Sequence, residues 1–305
     1  MTRTAIRLIK RLRSKGLLRP AVAEGAARLV KPRWDRRPVF IMGPPSSGST
    51  WLGALLGGMP GRVFYHENKL TNGRSGRALV AVDRYARFIP RRLLHASFEV
   101  IQRGHLWTLD IHTASLRGRS ENLEPENLGP LDLTRPHETS ADLDIVDTAG
   151  GHLFLATLLR RAYPHATFIF LIRDPRDVIA SLTLRKRFGH RRDWAGWAQG
   201  YMDLYRAFER VEGHDQILVV RYEDLLADTF GELTRVLEWS GLPVDDDVLK
   251  ATVERNDAAT VRASSRPRGN LDAARAGGWR DELPAEQVAE IDAMCAPLID
   301  RWGYR

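Results

Sequence analysis

Residues 39–58 read VFIMGPPSSGSTWLGALLGG, and the fold turns on how this stretch is built. Val39–Met42 is a short apolar run with strand chemistry. Gly43–Gly48 is a loop of Gly, Pro and Ser, and the residues after it carry the apolar spacing of a helix that Ser49 or Thr50 would cap and that Gly57 and Gly58 would end. Strand, glycine-rich loop and helix in this order aim backbone N–H groups and the positive end of a helix dipole at one point, a seat for an anion. Hydroxyls at Ser47, Ser49 and Thr50 add donors. Gly43, Gly48, Ser49 and Thr50 keep the phosphate-loop spacing G-x4-G-K-[ST] except that Ser49 stands in the lysine's place. That lysine bridges the outer phosphates of a nucleoside triphosphate. Its absence weighs against an NTPase or nucleotide kinase but leaves the anion seat intact.

Outward from this loop the pattern repeats. LDIVDT (143–148) reads as a strand, LFLATLLRRAY (153–163) as a helix and ATFIFLI (166–172) as a buried strand; DPRDVIASLTLRKRF (174–188) reads as a helix with Pro175 in its first turn. QILVVRY (216–222) adds a strand and TFGELTRVLEWSGL (229–242) a helix, while YHEN (65–68) and VERNDAATVRASSRPRGNLDAARAGGW (253–279) have loop chemistry. PAEQVAEIDAMCAPLIDRWGY (284–304) closes as a helix. Strands alternating with helices predict an α/β fold, a phosphate-loop-like parallel β-sheet flanked by helices.

The chain has 305 residues, enough for one large domain, and its 43% hydrophobic and 28% charged content is that of a globular protein. No apolar run approaches the ~20 residues that span a bilayer. The one cysteine, Cys295, excludes an internal disulfide and a thiolate zinc cluster, which fits a reducing, cytoplasmic setting. Of the net charge of +8, residues 1–37 hold a surplus of ten positive charges, and the rest of the chain is slightly acidic. The expected organisation is a basic amphipathic tail, 1–37, and a single domain, 38–305. Ile6, Ile9, Leu12 and Leu17 alternate with Arg and Lys at a roughly helical period. The tail therefore reads either as a solvated terminal helix or, through residues 1–31, as a peripheral contact with an anionic membrane. Nucleic acid is not an expected partner.

Two motifs together resemble one family. PSSGSTWL (45–52) is similar to the 5′-phosphosulfate loop of sulfotransferases that use 3′-phosphoadenosine 5′-phosphosulfate (PAPS), and FIFLIRDPRDVIASL (168–182) resembles their 3′-phosphate motif. The resemblance implies that Pro45, Ser46, Ser47, Gly48, Ser49, Thr50 and Trp51 hold the 5′ end of the nucleotide, and that Arg173 and Ser181 grip the 3′-phosphate. Without it, Arg173 and Asp177 read as an ion pair at a helix start. Weaker matches place Tyr222, in VVRYEDLL, near the adenine with Trp51. They place Arg275, in AARAGGWRDEL, on the 3′-phosphate, with Arg266 and Arg268 as rivals.

The implied function is transfer of a sulfuryl group from PAPS to a hydroxyl of a glycan, glycolipid or secondary metabolite, leaving 3′-phosphoadenosine 5′-phosphate (PAP), with no metal. PGRVFYHENKL (60–70) resembles the segment of carbohydrate and tyrosylprotein sulfotransferases that supplies the base. By position Glu67 is that base, and neighbouring His66 is a second candidate, since imidazole titrates near neutral pH. Two departures stand out: Ser46 replaces the loop's usual Lys or Arg, and Gly150 stands where a lysine is expected, with His152 two residues on. Lys69 and Lys186, the latter flanked by Arg185 and Arg187, are the nearest substitute cations by sequence. The same departures fit an alternative, a PAP-binding relative with weak catalysis.

Overall fold

Val39–Met42 forms β1, all four side chains buried, and the loop after it leads directly into helix α1, Ser49–Gly57. The computed structural model describes residues 34–66, 89–96, 98, 144–184, 193–213, 217–243, 245–256 and 275–304. Five strands make one sheet, in the order β2-β3-β1-β4-β5: β2 is Arg62–His66, β3 Asp144–Thr148, β4 Thr167–Ile172 and β5 Ile217–Arg221. The expected α/β architecture, a parallel sheet with helices, is the one observed. The chain divides into two compact units, one of Met1–Phe40 with Pro60–Thr167 and one of Ile41–Met59 with Phe168–Arg305.

In the first unit β2 and β3 pair in parallel from Arg62↔Asp144 to His66↔Thr148. The Asp144 carboxylate accepts the Arg37 N–H at 3.1 Å, and Thr167 N–H reaches Pro38 O at 2.9 Å. After β3 a 3-10 turn, Gly150–Leu155, runs into α2, Ala156–Ala162, whose Leu158 and Leu159 are buried.

In the second unit β4 and β5 pair in parallel from Phe168↔Ile217 to Ile172↔Arg221. Every residue of β4 is buried, which explains its unbroken apolar sequence. Helix α3, Pro175–Leu184, follows β4, and α4, Trp194–Glu209, packs against it. Phe170 of β4 stacks on Phe208 of α4 with centroids 4.2 Å apart. The remaining helices are α5, Tyr222–Ala227; α6, Thr229–Trp239; α7, Asp246–Arg255; α8, Trp279–Glu282; and α9, Ala285–Trp302.

Four local expectations are corrected. Tyr222 is the first residue of α5 and not the last of a strand, because the ladder with β4 ends at Arg221. Tyr65 and His66 belong to β2, where pairing with β3 overrides loop-like local chemistry. Val253–Arg255 close α7, whose start is capped by Asp245. Neither Ser49 nor Thr50 caps α1: the cap residue is Gly48, left-handed at φ 95°, with no side-chain cap bond. As a glycine, the cap residue offers the first turn of α1 no side-chain acceptor, and Trp51 N–H is bonded to Gly48 O at 2.9 Å.

Candidate functional site

The second unit gathers the carboxyl ends of β1, β4 and β5. Gly43 is required by a close approach: a Cβ there would lie 2.5 Å from Leu171 O of β4 and 3.0 Å from Ser47 Oγ. The loop then makes a turn closed by Ser47 N–H to Pro44 O at 3.2 Å, with Pro45 second and Ser46 third at φ 67°. Proline followed by positive φ is the pattern of a type II turn, whose third position favours glycine. A serine held there carries strain of order 1 kcal/mol or more, a feature that clusters at binding sites.

Arg173, the residue after β4, explains how the strained turn is held. Its Nη1 donates to Ser46 O at 2.9 Å and its Nη2 to Arg275 O at 3.0 Å, while the guanidinium lies 4.4 Å from the centre of the Tyr222 ring. The guanidinium thus bonds the carbonyl of the loop residue that carries no cation of its own. Tyr201 fixes the Arg173 backbone, its hydroxyl donating to Arg173 O at 2.7 Å, and burial pushes that phenol's pKa well up.

Two buried hydroxyls have no hydrogen-bond partner among the described residues: Ser47 Oγ, on the loop, and Ser181 Oγ, on α3. Buried hydroxyls nearly always find an acceptor, so the pair fits a ligand that supplies acceptor oxygens. Pro45 and Thr50 are exposed, and Ser46 and Ser49 are half-buried. Trp51 is buried, with its ring nitrogen donating to Asn256 O at 2.8 Å and its ring edge-on to Tyr222 at 6.0 Å.

Gly48 is the second glycine the geometry demands, since a Cβ there would sit 2.5 Å from the Tyr222 ring. Gly48→Ala combines a left-handed alanine, about 1–2 kcal/mol, with overpacking of about 1–3 kcal/mol. The thermal midpoint is expected to fall by about 5 °C or more; an unchanged midpoint by scanning fluorimetry would contradict this packing.

Arg275 reaches the centre through its carbonyl, while its guanidinium faces Asp281 at 3.2 Å and Glu282 at 3.4 Å. Asp174, the metal ligand an NTPase would need, is held through both oxygens by Arg176 at 2.9 and 2.8 Å and also accepts the Trp279 indole N–H at 3.2 Å. This carboxylate is spent on structure.

Glu223 was not singled out by sequence, though it directly follows Tyr222. It accepts Asp174 N–H at 2.9 Å and the Tyr304 hydroxyl at 3.1 Å, and burial pushes its carboxyl pKa up. A raised folded pKa means that this group's contribution is greatest below the unfolded value of about 4.3 and is lost as pH rises through the folded value. Glu223→Gln keeps an acceptor for Asp174 N–H and an amide for Tyr304 but cannot ionise. The variant's thermal midpoint relative to wild type should therefore climb from pH 4 to pH 7, and a flat difference would refute the assignment.

In the first unit His66 ends β2 opposite Thr148. Its side chain lies outside the described residues, as do Glu67, Lys69, Arg185, Lys186, Arg187, Arg266, Arg268 and the tail to residue 33. His152 Nε2 lies 3.2 Å from Asp147 Oδ2, both side chains fully buried.

The chain resembles known proteins in sequence and in fold. The chain is 28% identical over 167 residues to protein-tyrosine sulfotransferase A of Caenorhabditis elegans, covering 49% of this chain and 42% of that one. It is 27% identical over 169 residues to the omega-hydroxy-beta-dihydromenaquinone-9 sulfotransferase Stf3 of Mycobacterium bovis, covering 50% and 39%. The matches thus span less than half the length of either relative. Mouse sulfotransferase SULT7A1, solved with PAP, superposes with a TM-score of 0.52 at 14% identity over 90% of this chain and 88% of that one, a likeness of fold. The model of the sulfotransferase family itself matches residues 38–246, from the strand before the loop to the start of α7, and the chain belongs to that family.

Proposed function

We propose that the protein transfers a sulfuryl group from PAPS to a hydroxyl acceptor of the glycan, glycolipid or secondary-metabolite class. The observation that carries this reading is the pair of buried hydroxyls, Ser47 and Ser181, that have no hydrogen-bond partner among the described residues. They lie on two strand-loop-helix segments that Arg173 ties together at Ser46 O. PAPS, when bound, supplies the sulfuryl group on its phosphosulfate anhydride. Pro45–Trp51 hold the 5′ end through hydroxyls and the uncapped start of α1. Arg173 and Ser181, with Arg275, take the 3′-phosphate through charge-assisted bonds, and Tyr222 and Trp51 face the adenine. Glu67 removes the acceptor's proton, with His66 the alternative base and Lys69 a source of positive charge for the developing oxyanion.

The catalytic domain in this reading is 38–305, working in the cytoplasm, with the tail of 1–37 outside it and residues 1–31 in peripheral contact with anionic lipid. Among the described residues no helix is long and apolar enough to cross a membrane.

The test is scanning fluorimetry with PAP, without metal, against ATP with Mg²⁺, followed by transfer of labelled sulfate from PAPS to a mixed acceptor panel. Stabilisation by PAP above that by Mg·ATP is expected. The reverse order would return the chain to the nucleotide-kinase class, and PAP binding without transfer would favour the weakly catalytic relative.

A further inference from the structure

Asp177 is the third residue of α3, where an acidic side chain ordinarily turns back to its own helix's first N–H groups. It does not do so here. Oδ2 accepts the N–H of Gly277 at 2.8 Å and Oδ1 that of Trp279 at 3.0 Å, about a hundred residues away in sequence. The same Oδ2 lies 3.9 Å from Arg173 Nη2, and the carboxylate is buried. Arg173 Nη2 in turn donates to Arg275 O, two residues before Gly277. The contacts close a ring: Arg173 to Asp177, Asp177 to the 277–279 turn, and that turn through Arg275 O back to Arg173.

The rest of the turn is fastened to the start of α3 as well. The Trp279 ring lies between the guanidinium groups of Arg176 at 4.1 Å and Arg280 at 4.4 Å, and its N–H reaches Asp174. Gly277 adopts φ 78°, which lets the chain reverse so that both N–H groups meet one carboxylate.

We propose that Asp177 is a positioning residue for recognition of the nucleotide's 3′ end: it holds the 275–279 turn and the Arg173 guanidinium in one fixed arrangement, so that the two cationic segments meet the 3′-phosphate together. The inference rests on the PAPS reading above and goes beyond it, since Asp177 touches no part of the nucleotide in this role. Its charge is matched by the two N–H groups and Arg173, and so it steadies the cations without presenting a net negative group to the ligand. Losing the Asp177 contacts costs the 3′-phosphate its pre-arranged site, whereas the 5′ seat of Gly43–Ser49 keeps Gly43, Gly48, the turn at Pro44–Ser47 and the Arg173 Nη1 bond to Ser46 O, none of which is made by Asp177.

The experiment is calorimetric titration of the full chain with PAP and with AMP, which lacks the 3′-phosphate, for wild type, Asp177→Asn and Gly277→Ala. Asn accepts one N–H and presents an amide to the other; alanine strains the same turn from its far side without touching α3, and serves if the first variant does not fold. Each variant is expected to weaken PAP about tenfold or more while AMP changes by less than about twofold. The double variant should lose little more than either single one, because both break one ring. An unchanged PAP-to-AMP affinity ratio in a folded variant overturns the proposal, as does equal weakening of both ligands, the signature of a merely structural role. A wild type with no preference for PAP over AMP instead sinks the nucleotide reading on which the proposal stands.

Discussion

Arg173→Ala is expected to weaken PAP by roughly 10²- to 10⁴-fold, the worth of two charge-assisted hydrogen bonds at about 1.5–3 kcal/mol each. Arg173 is 4% exposed, and its guanidinium is fixed by the Ser46 and Arg275 carbonyls, the Tyr222 ring and the Tyr201-anchored backbone. The geometry is pre-formed, so little ordering cost falls on the ligand. Alanine removes both the cation proposed for the 3′-phosphate and the donor that bonds Ser46 O, and a lower thermal midpoint should accompany the binding defect. Arg173→Lys keeps the charge but loses the planar fork that reaches two carbonyls at once, and is expected to fall between alanine and wild type. Equal losses for PAP and AMP would place Arg173 in the fold and not in 3′-phosphate recognition.

Glu67→Gln is expected to lower kcat by about 10²- to 10⁴-fold, the usual worth of a general base. Gln matches the carboxylate in size and cannot take a proton, so the affinity for PAP should stay at the wild-type level. His66→Ala then discriminates between the two candidates, because only the base should carry the large kcat loss. A Glu67→Gln enzyme within about threefold of wild-type kcat would reassign the base to His66 or to a group not nominated from sequence.

Local chemistry exposed the loop, since glycine, proline and serine after an apolar strand leave few other conformations, and the unbroken apolar run of Thr167–Ile172 is what a strand buried on both faces requires. Partner-dependent features were hidden. Residues 65–66 read as loop because pairing with Asp147 and Thr148 is non-local. Ser49 and Thr50 read as caps because nothing in the sequence says that Gly48 turns left-handed against Tyr222 at the start of α5.

The sequence by itself determined the alternation of strands and helices, the glycine-rich loop and the family, since periodicity, glycine placement and motif spacing are properties of neighbouring residues. Only the tertiary structure decided what holds the Ser46 turn, a guanidinium 127 positions away bonded to Ser46 O. It also decided that Asp177, which in sequence pairs with Arg173, spends both oxygens on a turn about a hundred residues distant. Such bonds depend on which strand ends the sheet brings side by side, and that adjacency is fixed by long-range burial and not by any stretch of chain a few residues long.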